Sequence, residues 1–181
     1  GLEVCNIRSR LFPDFSAEEG ISIRAVKRLY AQLAGIDFEQ SPEPFDIYKI
    51  GCNEMVGNKD AALESWHVFG VNLGDALATL LTLVDGIAVI GGGVAGANKL
   101  FWKSMVAEMK KEFDLPDGAK ARRLETCVFD LEDKKQFDQF LIGEKLSIKV
   151  PFSDQTVEFD PMQRVGVALA KNDASTAIAI G

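Results

Sequence analysis

The residues with the clearest capacity for chemistry are glycines. From Asp85 to Ala97 the chain reads Asp-Gly-Ile-Ala-Val-Ile-Gly-Gly-Gly-Val-Ala-Gly-Ala. The run Gly86 to Ile90 is short and β-branched, which predicts a buried central strand. Gly91, Gly92 and Gly93 then let the backbone take positive φ and come close to a ligand. A helical pattern resumes at about Ala97. A helix start behind a glycine turn offers unpaired N–H groups and a positive dipole end. That is the physics of a nucleotide site. One glycine suffices for a turn, and each further one costs folding entropy. Three in succession therefore favour ligand contact over a merely tight connection.

Gly91-x-Gly93-x-x-Gly96 also fits the dinucleotide fingerprint literally, which would make the chain an FAD- or NAD-binding Rossmann domain of an oxidoreductase. That fold needs an acid about 20 residues on, at the tip of the next strand, to hold a ribose. Met109-Lys-Lys-Glu-Phe113 instead continues a helix, and Asp130 lies too far along. Leu100-Phe101-Trp102 also puts bulky side chains where close helix–strand packing favours small ones.

Other reactive types are sparse. His67 is the single histidine and sits on a predicted helix, where packing or exposure is the ordinary reading. Cys5, Cys52 and Cys127 are far apart, with no C-x-x-C spacing, which suits a reduced, cytoplasmic setting and no metal site. Arg24, Lys27 and Arg28 read as the solvated face of a helix rather than a phosphate patch.

The elements that must position the glycine turn follow from periodicity. Ile21 to Ala34 repeats apolar residues at helical spacing, with Ser22 as N-cap and Gly35 at the end. Pro44 opens a helix predicted to reach Met55. Asn58 caps the longest element, predicted over 59–85, with a wide apolar stripe. Gly70 and Gly74 on one face of it permit close approach by another element. After the glycine turn a helix is expected to run to Phe113, ended by Leu115-Pro-Asp-Gly118. A strand at 126–129, a helix over 133–142, a hairpin at 146–159 turning at Ser153-Asp154, and a strand at 165–170 follow. The stretch Asp173 to Gly181 begins a last helical pattern, capped by Asn172-Asp173-Ala174-Ser175.

Composition bounds the class. With 181 residues, 47% hydrophobic and 26% charged, the chain can build a core without disulfide or metal. A net charge of −7 argues against a broad nucleic-acid surface, which needs a basic stripe. The apolar part of the long helix is too short and too flanked by charge for a membrane span. The absence of an initiator Met and the abrupt end read as a piece of a longer chain.

The helix–strand–Gly91-Gly-Gly-Val94–helix order resembles the adenosine-contacting motif of sugar kinases with the actin/hexokinase ATPase fold. More specifically, the chain resembles the C-terminal lobe of a glucokinase of the ROK (repressor, open reading frame, kinase) family. The resemblance rests on Gly57-Asn-Lys-Asp-Ala-Ala-Leu-Glu-Ser-Trp66, Gly70-Val-Asn-Leu-Gly-Asp-Ala-Leu-Ala78, Leu80-Leu-Thr-Leu-Val-Asp85 and Ala174-Ser-Thr-Ala-Ile-Ala-Ile-Gly181. It covers roughly residues 57–113 and 160–181.

The resemblance implies an α/β fold, a ribonuclease H-like or actin-like ATPase lobe with a mixed sheet flanked by helices. It would be one lobe over 1–181, helical over about 16–85 and β/α over about 86–181. It implies ATP with Mg2+ and a sugar as ligands of the parent enzyme. Gly91, Gly92 and Gly93 would approach adenosine, with Val94 and Ala95 beside the base or ribose. Glu3 would lie in a sugar-contacting stretch. No catalytic residue is expected in this chain, because the family's Asp-x-Gly-x-Thr phosphate loop, its catalytic Asp segment and its Cys-x-Cys-x-x-x-x-Cys zinc motif are all missing from it. A non-catalytic regulator or dimerisation module, such as a homodimer, is the other compatible class.

Overall fold

The computed structural model describes residues 4–10 and 12–171. Glu3 and the predicted C-terminal helix with its cap lie outside them. The described chain starts with a 3-10 turn, Val4–Asn6, and a strap that folds back on itself: Ala17 N–H donates to Ile7 O (2.7 Å) and Ser9 N–H to Phe15 O (2.9 Å). Helix α1, Glu18–Ile21, and α2, Ile23–Ala34, follow. Ser22 caps α2 by accepting from Ala25 N–H, and Gly35 ends it in the left-handed region at φ +68°. Helix α3, Pro44–Gly51, is shorter than its pattern predicts. Gly51 packs against Leu100, and Asn53 turns left-handed at φ +61°, so the chain leaves the helix before Met55.

Helix α4, Lys59–Leu83, is capped by Asn58 Oδ1, which accepts from Ala61 N–H at 3.0 Å. Strand β1, Ile87–Ile90, leads through the glycines into a 3-10 stretch, Gly93–Ala97, and then α5, Asn98–Met109. Among the described residues helices α4 and α5 share the most extensive contact, and it includes the two glycines singled out in the sequence. A Cβ on Gly70 would stand 2.5 Å from Phe101 O, and one on Gly74 would meet Met105 O and lie 2.8 Å from Glu108 Cβ. Removing both side chains lets the backbones approach and buries Phe101 and Met105 completely.

Helix α5 does not reach Phe113. Residues Glu112–Asp114 form β2, paired antiparallel with β3, Lys120–Arg122, across the Leu115–Gly118 turn. Apolar Phe113 fits either period, and the turn residues decide for the hairpin. Strand β4, Cys127–Asp130, is followed by α6, Lys134–Ile142, with Asp133 as N-cap. Strands β5, Leu146–Lys149, and β6, Thr156–Phe159, form the predicted hairpin. Strand β7, Arg164–Leu169, completes the order.

The main sheet has the order β1-β7-β4 and is parallel throughout. The expected mixed sheet is corrected in this respect. Among the described residues the antiparallel pairs are separate two-stranded ribbons, because each hairpin closes on itself instead of joining the sheet. The α/β class with flanking helices holds. Among the described residues the late strand β7, not β1, is central, and β1 lies at the edge with Ile87 and Val89 exposed. Its other face, Ala88 and Ile90, joins a single core with Val165, Val167, Trp66, Phe69 and Leu77, which spans the helical and the β/α portions.

Two acids are buried where α4 meets α5. Asp75 pairs with Arg10 Nε (2.8 Å) and Arg123 Nη2 (2.7 Å), and Glu108 pairs with Arg10 Nη2 (2.5 Å) and Lys111. Buried charges persist only when paired in this way. Among the described residues no helix is long and apolar enough to cross a membrane.

Candidate nucleotide site

The glycine turn is held by its neighbours because it has no side chains to pack. Ala170 N–H donates to Ile90 O (2.8 Å), fixing the end of β1 against the end of β7. Gly91 lies tight there, with a would-be Cβ 3.3 Å from Ala170 Cβ. Gly92 sits at φ +74°, ψ −171°, a conformation open only to glycine. Ala95 N–H closes the turn on Gly92 O (3.1 Å), and Asn98 Nδ2 donates to Ala95 O (2.7 Å). The three glycines thus differ. Gly91 and Gly92 have structural reasons to be glycine. Gly93 and Gly96 have none, since a Cβ on either meets nothing within 4 Å.

That open side faces a cavity of about 370 Å³ between the turn and the start of α3. Gly93, Val94 and Gly96 form one wall, and Pro44, Phe45 and Tyr48 the other. Trp66 and Ile23 also contribute. The walls are apolar and aromatic. Phe45 is 65% exposed, so its ring is available for stacking. It lies roughly parallel to Tyr48 at 6.4 Å and carries Lys49 Nζ 4.3 Å from its centroid. Trp66 is buried, and its indole N–H has no partner among the described residues.

The charged groups near the cavity are neutralised. Glu43 at its edge pairs with Lys27 at 2.7 Å. The Tyr48 hydroxyl is held above its ordinary value, first by its hydrogen bond with the Cys52 thiol, then by burial, then by charge on Cys52 and Glu54. It therefore stays a neutral phenol at physiological pH. A slot of this size with flat apolar walls suits an aromatic base rather than an anionic group.

Of the residues predicted from sequence, Gly93 and Val94 line the cavity. Gly91, Gly92 and Ala95 do not; they shape the turn behind it. Sequence reasoning missed Phe45, Tyr48 and Gly96. The pair Phe45 and Tyr48, three apart after Pro44, was the available signal. The expected α-helical N-terminus behind the glycines is also replaced. A five-residue 3-10 stretch intervenes, and α5 starts at Asn98 with no side-chain cap.

The dinucleotide alternative fares poorly. Its third glycine allows close helix–strand packing, yet Gly96 stands in open space. The next parallel strand, β4, is separated from β1 by β7, so Asp130 does not flank the turn. His67 is exposed, and its backbone carbonyl accepts from Ser104 Oγ (3.1 Å). Arg24 and Arg28 pair with Glu18 and Glu19, as a solvated helix face would.

No family model matches this chain, and no curated protein does. Two solved structures do match. A glucokinase from Parabacteroides distasonis ATCC 8503 is 35% identical, with a TM-score of 0.83 over 98% of this chain and 47% of its own. A candidate sugar kinase from Cytophaga hutchinsonii ATCC 33406 is 13% identical, with a TM-score of 0.55 over 100% of this chain and 48% of its own, a likeness of fold. The chain thus spans about half the length of each. The resemblance to a lobe of a glucokinase is borne out by the first, and the second shares the fold.

Proposed function

We propose that this chain is the nucleotide-binding lobe of an ATP-dependent sugar kinase, with the adenosine end of ATP held in the slot beside Gly93. The observation that carries the reading is the pairing of an aromatic wall, Phe45 and Tyr48, with two glycines that no packing demand explains. The base would stack against Phe45. The ribose would pass along Gly93 and Val94, where a side chain would block it. Gly91 and Gly92 would set the backbone path, and Ala95 would support it. Likeness to a glucokinase favours a hexose as the acceptor of the parent enzyme, bound partly through Glu3.

In phosphoryl transfer, catalysis is mostly positioning and electrostatic stabilisation of the moving phosphoryl group. The described residues hold the nucleoside end only. Among them no group of three or more His, Cys, Asp or Glu gathers to hold Mg2+, and no acid stands over the slot unpaired to take a proton. The phosphate clamp and the general base belong to sequence beyond this lobe, and the isolated chain does not turn over. The chain would be one lobe, helical over about 16–85 and β/α over about 86–181, a reading supported by the core that the described parts of both portions share.

Two substitutions test the reading. Gly93→Val should leave the melting temperature nearly unchanged, because the added side chain meets open space, while weakening ATP binding by calorimetry at least tenfold. Phe45→Ala removes an exposed ring and should act likewise. Unchanged ATP affinity in both variants refutes the site. A parent protein that releases no ADP with any hexose refutes the kinase assignment.

A further inference from the structure

A second cavity, of about 300 Å³, lies beneath the N-terminal strap and is separate from the nucleotide slot. The two share an aromatic partition. Trp66 lines the slot and Phe69 lines the second cavity, their rings meeting edge-on at 5.5 Å. Ala25 and Leu29 of α2 and Val68 of α4 form further apolar wall.

The roof is built rather than incidental. The strap closes through Ser9 N–H to Phe15 O and Phe12 N–H to Ser9 Oγ (3.1 Å). Arg10 ties it to buried Asp75 and Glu108. This bracing holds Phe12 and Phe15 at the cavity mouth, 45% and 59% exposed. Two large aromatic rings kept over a hollow leave apolar surface that an occupant would remove from water.

Polar groups at the wall define the occupant. Asn72 is 8% exposed and spends Nδ2 on Val68 O (3.0 Å), and among the described residues no group donates to its Oδ1. Arg28 and Glu19 also line the cavity, but they neutralise each other at 2.8 Å. The Gln32 amide and the Ser65 hydroxyl line it as well, and Ser65 Oγ is already spent as a donor on Ala61 O (2.6 Å). The site therefore offers no net charge and a few neutral polar groups, with Asn72 Oδ1 as its buried acceptor. Its volume equals that of on the order of ten waters, the low end for a ligand pocket.

We propose that this cavity is a second binding site, for a small neutral molecule with one aromatic or branched aliphatic group and one hydrogen-bond donor. The donor meets Asn72, and the apolar part lies among Phe12, Phe15 and Phe69. The site stands whether or not the slot beside Gly93 takes a nucleotide, and its test uses no nucleotide.

The probe is benzyl alcohol, titrated into the 181-residue chain and followed by ligand-observed NMR. Saturable binding with a Kd of about 1 mM is expected for so few atoms. Ala25→Phe fills the cavity from α2 and should raise that Kd at least tenfold. Leu29→Trp fills it from one turn further and should do the same, which covers the case of one variant folding poorly. Circular dichroism establishes the fold of each. Lack of saturable binding by the unmodified chain overturns the proposal. Equal affinity in a folded filled variant also overturns it, since the probe would then sit elsewhere.

Discussion

Substituting Gly74 by alanine isolates the contact that positions the whole β/α portion. Alanine is the better helix former by about 1 kcal/mol, so helix propensity alone predicts a more stable protein. The structure predicts the opposite. The new methyl would overlap Met105 O, a backbone atom, and stand 2.8 Å from Glu108 Cβ. Carbon contacts settle at about 3.5–4.0 Å, so α4 and α5 must part by roughly 1 Å. Parting them loosens Phe101 and Met105, both fully buried, and strains the Glu108 ion pairs. Overpacking costs about 1–3 kcal/mol, and loosened contacts add to it. Set against the propensity gain, a net loss of about 2 kcal/mol follows. In a chain of this length that lowers the melting temperature by roughly 4–8 °C. Urea denaturation of both proteins reads the difference directly. A Gly74→Ala protein as stable as the original, or more so, would refute the close-contact reasoning.

Gly92→Ala should cost about 1–3 kcal/mol, because φ +74° with extended ψ is closed to a residue with a Cβ; thermal melts beside Gly93→Ala, which should be neutral, check it. Asp75→Asn should destabilise by about 3–5 kcal/mol, because buried Arg123 loses its carboxylate; Arg123→Met should cost less, because Asp75 keeps Arg10. Chemical denaturation of the two variants gives the order, and the reverse order refutes this view of the network. The Glu19 carboxyl is lowered below 4.5, first by its hydrogen bond to Arg28. A depressed acid stabilises above its unfolded value and loses that contribution as pH falls through the folded one. Glu19→Gln should therefore cost a small amount of stability at pH 7, less than about 1 kcal/mol for so exposed a pair, and the difference from the original should vanish as pH falls below about 4.5, as acid titrations followed by circular dichroism would show.

Much of the helical part was legible because its signals are local. Ser22, Gly35 and Asn58 cap or end helices by hydrogen bonds and backbone freedom that do not depend on distant residues. The close approach at Gly70 and Gly74 was legible as a permission, while its partner, α5, was not. The sheet order was illegible, since nothing in Val165 to Ala170 says that this late strand inserts between β1 and β4. That insertion made β1 an edge strand, where a buried central one was expected. The candidate site was half legible. Gly93 and Val94 were identified, but the opposing wall comes from α3, separated by more than 40 residues and brought near only by packing on α4.

The division of labour among the glycines bears on how the site works. A turn without side chains cannot hold its own position against a ligand. Here its position is set at both ends by rigid elements: β1 is pinned to β7 at Ile90 and Ala170, and α5 is locked to α4 at Gly70 and Gly74. The same α4 supplies Trp66 to the slot, and α3, which packs on α4, supplies Phe45 and Tyr48. Both walls of the slot are therefore referenced to one helix. Their separation is a property of the core and does not depend on loop conformation. A binding cleft fixed this way loses little freedom when occupied, so less of the binding energy is spent on ordering the protein. Under the proposed function, this rigidity is what would let the slot take a nucleoside without first ordering its own walls.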